Sequence, residues 1–198
     1  MFKTLVYADV FDYPLRAAEL VEWQIAGDRP RPELTGKTGK FYHLKGRQAL
    51  AVLRRRRQHF SHLKLKRARL AASLLKLIPW IKLIAVTGAL AMNNSDQNDD
   101  IDLMIVTQAN RLWLSRLLAT ILLLPQLRQP HQRVLVSDKI CLNLWLDETA
   151  LSLPRNQRNL YTAHEVVQVK PILDRDYTYL KFIIANLWLK NYLPNWKG

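Results

Sequence analysis

Two aspartates separated by one residue, Asp100 and Asp102, are the residues in this sequence whose spacing best suits chemistry. In an extended strand, residues two apart project to the same face, so their carboxylates are expected to be neighbours. Two like charges about 4 Å apart repel by about 4 kcal/mol at an effective dielectric of 20, which favours a cation between them. Because paired carboxylates suit magnesium bound together with substrate phosphates, the pair predicts a Mg²⁺ site. The alternative is a capping and turn cluster with Asn98 and Asp99.

A glycine that ends an earlier apolar run is the second chemical signal. Gly88 directly follows the run at 82–87, and Ala89 comes next. Without a Cβ atom, a glycine at the end of a strand lets backbone N–H groups approach a phosphate closely. Gly88 and Ala89 therefore predict a phosphate contact near the aspartate pair.

The elements that must position these residues alternate after Pro79. Short apolar runs predict strands and longer runs with helical spacing predict helices, which together indicate an α/β (α+β) fold with a mixed sheet flanked by helices. The predicted strands span 82–87, 101–107, 133–137 and 139–146, and the predicted helices span 111–124, 156–169 and 177–192.

The part before Pro79 has a different pattern. Helices are predicted at 2–11 and 16–23, a short strand at 39–44, and one long basic amphipathic helix, or two, at 48–77. Two helices and a β-ribbon suggest a winged helix, but the stretch 27–39 has too many glycines and prolines for the third, groove-reading helix. We expect a degenerate winged-helix-like basic segment at 1–78 and a second domain at 79–198.

The glycine and the aspartate pair together resemble the signature of the nucleotidyltransferase superfamily that includes DNA polymerase β. The matching residues are Val86-Thr87-Gly88-Ala89 and Asp100-Ile101-Asp102. The chain looks most like bacterial nucleotidyltransferase-domain proteins with a short winged-helix-like segment in front. That second resemblance rests on Phe11-Asp12-Tyr13-Pro14-Leu15, Cys141-Leu142-Asn143 and Tyr161-Thr162-Ala163-His164-Glu165.

The resemblance implies a reaction and a role for each matching residue. Asp100 and Asp102 would hold two magnesium ions that bridge a nucleoside triphosphate and activate an unknown acceptor for in-line attack on its α-phosphorus. Pyrophosphate would leave, and the nucleoside monophosphate would be transferred. Gly88 and Ala89 would cradle the β and γ phosphates.

Two departures from the family pattern predict weak or absent activity. Ala89 stands where the family has a serine, so a hydroxyl donor is lost. Active members add a third carboxylate on a later strand, and alternation along 139–146 puts Asn143 there, on one face with Cys141 and Trp145. An amide can ligate magnesium but carries no charge and cannot act as a general base. Asp138 and Asp147, at the ends of that strand, are substitutes or turn residues.

The charge distribution leaves a non-catalytic alternative open. The net charge is +14, and the stretch 34–95 carries 14 lysines and arginines with no acidic residue. Such a block suits nucleic acid or another polyanion, although a solvated helix face explains it equally well. The alternative function is therefore a nucleotide- or nucleic-acid-binding protein on a degenerate nucleotidyltransferase fold.

Three further expectations concern location and single residues. With no transmembrane stretch and no secretion signal, the chain is predicted to be cytoplasmic. Cys141, the single cysteine, cannot form an internal disulfide and is expected to be a buried small hydrophobe. His164 and Glu165 are adjacent, so on a helix they diverge, which argues against a catalytic dyad.

Overall fold

The computed structural model describes residues 1–128 and 137–198, which form two sheets and flanking helices. The class is mixed α/β, as the alternation predicts. In chain order, the helices and strands are α1 (Phe2–Asp9), β1 (Leu15–Arg16), α2 (Ala17–Glu22), β2 (Thr35–Thr38), β3 (Phe41–Leu44), α3 (Leu50–Leu75), β4 (Ile81–Val86), α4 (Gly88–Ala91), β5 (Ile101–Thr107), α5 (Leu112–Leu123), β6 (Ile140–Asp147), α6 (Leu160–Gln168), β7 (Lys170–Asp174) and α7 (Thr178–Ala185).

The larger sheet has four strands in the order β6-β5-β4-β7. Strand β4 pairs antiparallel with β5 and with β7, whereas β5 and β6 run parallel. Strands β4 and β5 lie in the centre and are apolar on both faces, which explains why their sequences read as continuous hydrophobic runs. The mixed sheet is therefore confirmed.

Helices cover both faces of this sheet. On one face, α3 and α5 pack against Ile84, Ile101, Leu103 and their neighbours. On the other face, α6, α7 and the C-terminal residues pack against Leu83, Met104 and their neighbours. The alternation of side chains along β5 therefore divides one strand between two cores.

The first 49 residues form a small three-stranded sheet, in the order β1-β3-β2, with α1 and α2 beside it. Both predicted helices are present, and between α2 and β2 the structure has one short 3-10 turn at Pro32–Leu34. Arg54 of α3 fastens this part by donating to Glu19 and by lying 3.9 Å from the ring centroid of Tyr13. The winged-helix likeness stays a prediction.

Helix α3 is continuous from Leu50 to Leu75, so the long basic stretch forms one helix and not two. Its last turns pack into the larger sheet's core through Ala68, Ala71 and Leu75. Among the helices of the two described ranges, none has both the length and the apolar character that a membrane crossing requires.

The C-terminal part differs from the sequence prediction. Strand β7 has no counterpart among the predicted strands, because Pro171 is a residue that disfavours a strand interior. A proline fits here because β7 is an edge strand, where an N–H donor can be dispensed with. The last predicted helix ends early, at Ala185, where the side chain of Asn186 donates to the carbonyls of Leu151 and Phe182. The strand predicted at 133–137 falls almost wholly outside the described residues.

Candidate functional site

The end of β4 and the starts of β5 and β6 lie side by side at one end of the larger sheet. Because β4 and β5 are antiparallel, the end of β4 lies beside the start of β5, and Val86 pairs with Leu103. Because β5 and β6 are parallel, their starts also lie side by side, and Asp102 pairs with Cys141. The topology thus gathers residues from three separate parts of the sequence.

The two aspartates converge as predicted, with Asp102 in β5 and Asp100 directly before the strand. Single ligand atoms of Asp100, Asp102 and Cys141 all lie within 4.8 Å of one another. Ile101 and Leu103, which alternate with the aspartates along the chain, point to the other face of the sheet. They are fully buried in the core that α3 and α5 cover. The geometric expectation for the pair is met, whereas its metal role stays a prediction.

Burial and mutual repulsion change the proton affinity of this cluster. Burial, followed by the charge of Asp100, raises the pKa of Asp102 to about 6. Burial, followed by the charge of Asp102, raises the pKa of the Cys141 thiol to about 11. The thiol is therefore protonated at neutral pH and lies beside the carboxylate of Asp102. Cys141 is half-buried at the cluster and not a core hydrophobe, which corrects the sequence prediction.

An arginine from outside the motif neutralises one of the carboxylates. Arg128 Nη1 lies 2.6 Å from Asp100 Oδ2. The backbone N–H of Arg128 donates to the carbonyl of Ile140 at 2.9 Å, which fixes the start of the side chain beside β6. Sequence reasoning missed this residue, because nothing near it in sequence signals a contact with Asp100.

Gly88 packs directly against the carboxylate of Asp102. Its φ of +60° is a left-handed conformation, and a Cβ atom here would lie 3.1 Å from Asp102 Oδ2. The preceding N–H, of Thr87, donates to the carbonyl of Asp102 at 3.1 Å. Only glycine can adopt this φ without strain and also leave room for the carboxylate of Asp102. Ala89 follows at the exposed start of α4, and the phosphate contact predicted for the two residues stays a prediction.

A β-bulge in β6 changes which side chain stands beside the pair. Asp102 pairs with Cys141 but Met104 pairs with Leu144, so β6 has one extra residue between these points. The predicted common face of Cys141, Asn143 and Trp145 is therefore wrong, because Trp145 packs on the opposite core. Asn143 is exposed in the bulge, and Cys141 takes the register position opposite Asp102.

Asp138 is a turn residue, and Asp147 is the last residue of β6. Asp138 has a positive φ and pairs with Lys64 at 2.9 Å and with Arg67. Asp147, at the far end of β6, accepts hydrogen bonds from the backbone N–H groups of Asn110 and Thr149. Both carboxylates therefore have structural partners of their own.

The basic block is divided between the interior and the surface. Arg54 and Lys64 are buried and neutralised by Glu19 and Asp138. The exposed cations on α3 and the small sheet are Lys37, Lys40, Lys45, Arg47, Arg55, Arg56, Lys66, Arg67, Arg69 and Lys76. Arg54 and Lys64 thus serve the fold, and a polyanion partner for the exposed cations stays a prediction.

A cavity of about 170 Å³ lies next to Gly88, between α1 and α6. Its lining includes Tyr7 and Phe11 of α1 and its C-terminal turn, and Tyr161, His164 and Glu165 of α6. Burial and then the charge of Asp102 raise the pKa of Glu165, so the cavity and the aspartate cluster are electrostatically coupled. No sequence pattern predicts this cavity, because three distant segments of the chain form it.

The comparisons with known proteins add one distant likeness. No family model and no curated protein matches the chain. Among solved structures, one described as the crystal structure of the toxin-antitoxin with AMP-PNP shares 16% sequence identity with a TM-score of 0.32. The similarity covers 63% of this chain and 89% of that chain, and at this level it establishes no family.

Proposed function

We propose that this protein binds a nucleoside triphosphate through magnesium and transfers its nucleoside monophosphate to an acceptor, at a low rate. The observation that carries the proposal is the convergence of the Asp100 and Asp102 carboxylates beside the left-handed turn at Gly88. Paired carboxylates near a close backbone approach are what a metal-bound phosphate chain requires.

The donor atoms fit magnesium in part. The oxygens of Asp100 and Asp102 are hard ligands of the kind that Mg²⁺ takes, whereas the protonated sulfur of Cys141 is not. Bound magnesium would neutralise phosphate charge and polarise the α-phosphate. Asp102 must lose its proton before it can ligate the ion, and the ion pair of Arg128 with Asp100 must break before Asp100 can do so.

The rate is expected to be low because the third position holds a thiol. A carboxylate opposite Asp102 could take a proton from the acceptor, but a thiol with a pKa of about 11 is a poor base at neutral pH. Ala89 also contributes no hydroxyl to the phosphates. The protein therefore relies on positioning and charge neutralisation.

A second candidate is a non-catalytic nucleotide-binding protein. The ion pair of Arg128 with Asp100 favours it, because a guanidinium already compensates the charge that a metal would compensate. In this case the exposed cations of α3 would bind the phosphates of a nucleic acid or another polyanion.

Release of pyrophosphate separates the two functions. The natural protein is incubated with each of the four ribonucleoside triphosphates, magnesium and a set of acceptors that includes RNA, protein and sugars, and Asp102→Asn is the inactive control. Slow release that requires magnesium and disappears in Asp102→Asn supports transfer. Binding of the triphosphate without any release above the Asp102→Asn background supports the non-catalytic candidate.

A further inference from the structure

The cavity beside Gly88 has aromatic walls that come from two parts of the chain. The rings of Tyr7 and His164 are stacked, with centroids 4.2 Å apart and an interplanar angle of 14°. Phe11 lies against Tyr7 at a centroid distance of 5.3 Å, and Tyr161 completes the wall from α6. Flat, apolar walls of this kind suit a planar ring.

The cavity is held in shape by polar contacts at its rim. The Tyr13 hydroxyl donates to the carbonyl of Met92 at 2.9 Å, and the Asn94 side chain donates to the carbonyl of Phe11 at 2.9 Å. Arg57 in turn donates to Asn94 Oδ1 at 3.3 Å. These contacts tie α1 to the segment after α4, so the cavity is a formed part of the fold.

His164 is the polar group that this cavity leaves without a partner. It is 3% exposed, and neither ring nitrogen has a hydrogen-bond partner within residues 1–128 and 137–198. Burying a polar ring without partners is costly, so such groups are usually satisfied. Burial also lowers the pKa of His164 to about 4, so the neutral ring offers one N–H donor and one acceptor.

Gly88 belongs to both the cavity lining and the acidic cluster. It lines the cavity, and its missing Cβ leaves room for Asp102 Oδ2. A ligand whose phosphates lie at Gly88 would therefore have the cavity beside it for a planar ring. A nucleotide has this combination of groups.

We infer that the cavity between α1 and α6 binds the nucleobase of the nucleotide, with the base stacked among Tyr7, Phe11 and Tyr161 and hydrogen-bonded by His164. This inference rests on the proposed function for the identity of the ligand, but the base site itself needs neither metal nor turnover. The carboxyl of Glu165 lines the same cavity and adds a second polar contact for the edge of the base.

The probes that test this site are the four free ribonucleosides, which carry no phosphate. Calorimetric titrations without magnesium use the natural protein and His164→Phe. His164→Phe keeps an aromatic ring beside Tyr7 but removes both ring nitrogens. His62→Phe makes the same exchange at an exposed position of α3 and is the matched control. Thermal unfolding of each variant shows that the fold is retained.

We expect at least one nucleoside to bind, with equal affinity for the natural protein and His62→Phe and at least tenfold weaker binding to His164→Phe. Absence of nucleoside binding, or unchanged binding to His164→Phe, would overturn the base site. Magnesium-dependent triphosphate binding, measured on the same samples, reports separately on the proposed function. If nucleosides bind but magnesium does not tighten triphosphate binding, the base site is upheld and the transferase function is refuted.

Discussion

Cys141 lies directly opposite Asp102 across the parallel strands β5 and β6, so a protonated thiol stands where a third carboxylate would complete the acidic cluster. This relationship depends on the bulge in β6, which moves Asn143 to the surface. The electrostatic consequence is a cluster with two formal negative charges, one of them paired with Arg128.

Replacing the thiol by a carboxylate is expected to strengthen magnesium binding. Cys141→Asp adds a hard, charged ligand beside Asp102, so we predict at least tenfold tighter binding of Mg²⁺ and faster pyrophosphate release. Asn143→Asp is the matched control and should change both little, because Asn143 lies in the exposed bulge. Tighter Mg²⁺ binding by Asn143→Asp, without tighter binding by Cys141→Asp, would show that residue 143 faces the pair.

Removing the guanidinium from Asp100 is expected to raise the affinity for a divalent ion. In Arg128→Gln the carboxylate of Asp100 loses its ion-pair partner, so we predict about three- to tenfold tighter binding of Mn²⁺ in the absence of nucleotide. Titration followed by electron paramagnetic resonance measures the free ion. Arg116→Gln, on the exposed part of α5, is the control. Equal or weaker Mn²⁺ binding by Arg128→Gln would contradict the competition.

Adding a methyl group at residue 88 should damage both the fold and the site. Gly88→Ala forces an alanine into the left-handed region and places its Cβ against Asp102, so we predict a loss of about 1 to 2 kcal/mol in unfolding free energy. We also expect magnesium-dependent nucleotide binding to fall at least tenfold.

Gly39→Ala is the matched control for this substitution. Its φ of +58° imposes a similar strain, but its Cβ would meet only the tip of Arg55, at 3.9 Å. It should lose stability without losing nucleotide binding. If both variants bind nucleotide normally, the close approach at Gly88 has no part in the site.

Metal binding should weaken as the pH falls through the pKa of Asp102. Protonation competes with the metal, so the Mg²⁺ affinity is expected to rise from pH 5 to pH 7 and to level off above the pKa of about 6. Calorimetric titration at four pH values measures it. A Mg²⁺ affinity that does not change over this range would contradict a metal role for Asp102.

The same shift predicts the pH dependence of stability. The pKa of Asp102 is raised from 3.8 to about 6, so the folded protein holds more protons than the unfolded chain in this window. Its contribution to stability therefore decreases as the pH rises through the window. Asp102→Asn removes this unfavourable charge and should raise the free energy of unfolding at pH 7. The gain is expected to be about 1 to 2 kcal/mol, less than the full pKa shift would give, because part of the side chain is solvated. Chemical denaturation at pH 4 and pH 7 tests the sign.

Local pattern was enough to predict the strand that begins directly after Asp100 and carries Asp102. Strand β5 has the predicted bounds, and α5 lies within its predicted range, because apolar periodicity at a buried sheet reflects burial directly. The convergence of Asp100 and Asp102 follows from the same period-two alternation.

The remaining features depend on contacts between distant parts of the chain. The bulge at Asn143 interrupts an alternation that the sequence alone continues through Trp145. The ion pair of Arg128 with Asp100 depends on the hydrogen bond from the Arg128 backbone N–H to the carbonyl of Ile140, at the start of β6. No sequence pattern encodes this contact. The placement of His164 in a cavity likewise depends on α1, which is remote in sequence.

Binding of a nucleoside triphosphate in the presence and absence of magnesium tests the central claim most directly. The natural protein, Asp102→Asn and the control Asp176→Asn, which removes an exposed carboxylate paired with Lys82, are titrated with each triphosphate by calorimetry. We predict that magnesium tightens binding at least tenfold in the natural protein and in Asp176→Asn but not in Asp102→Asn. Binding that is indifferent to magnesium, or a magnesium effect that survives in Asp102→Asn, would contradict the account.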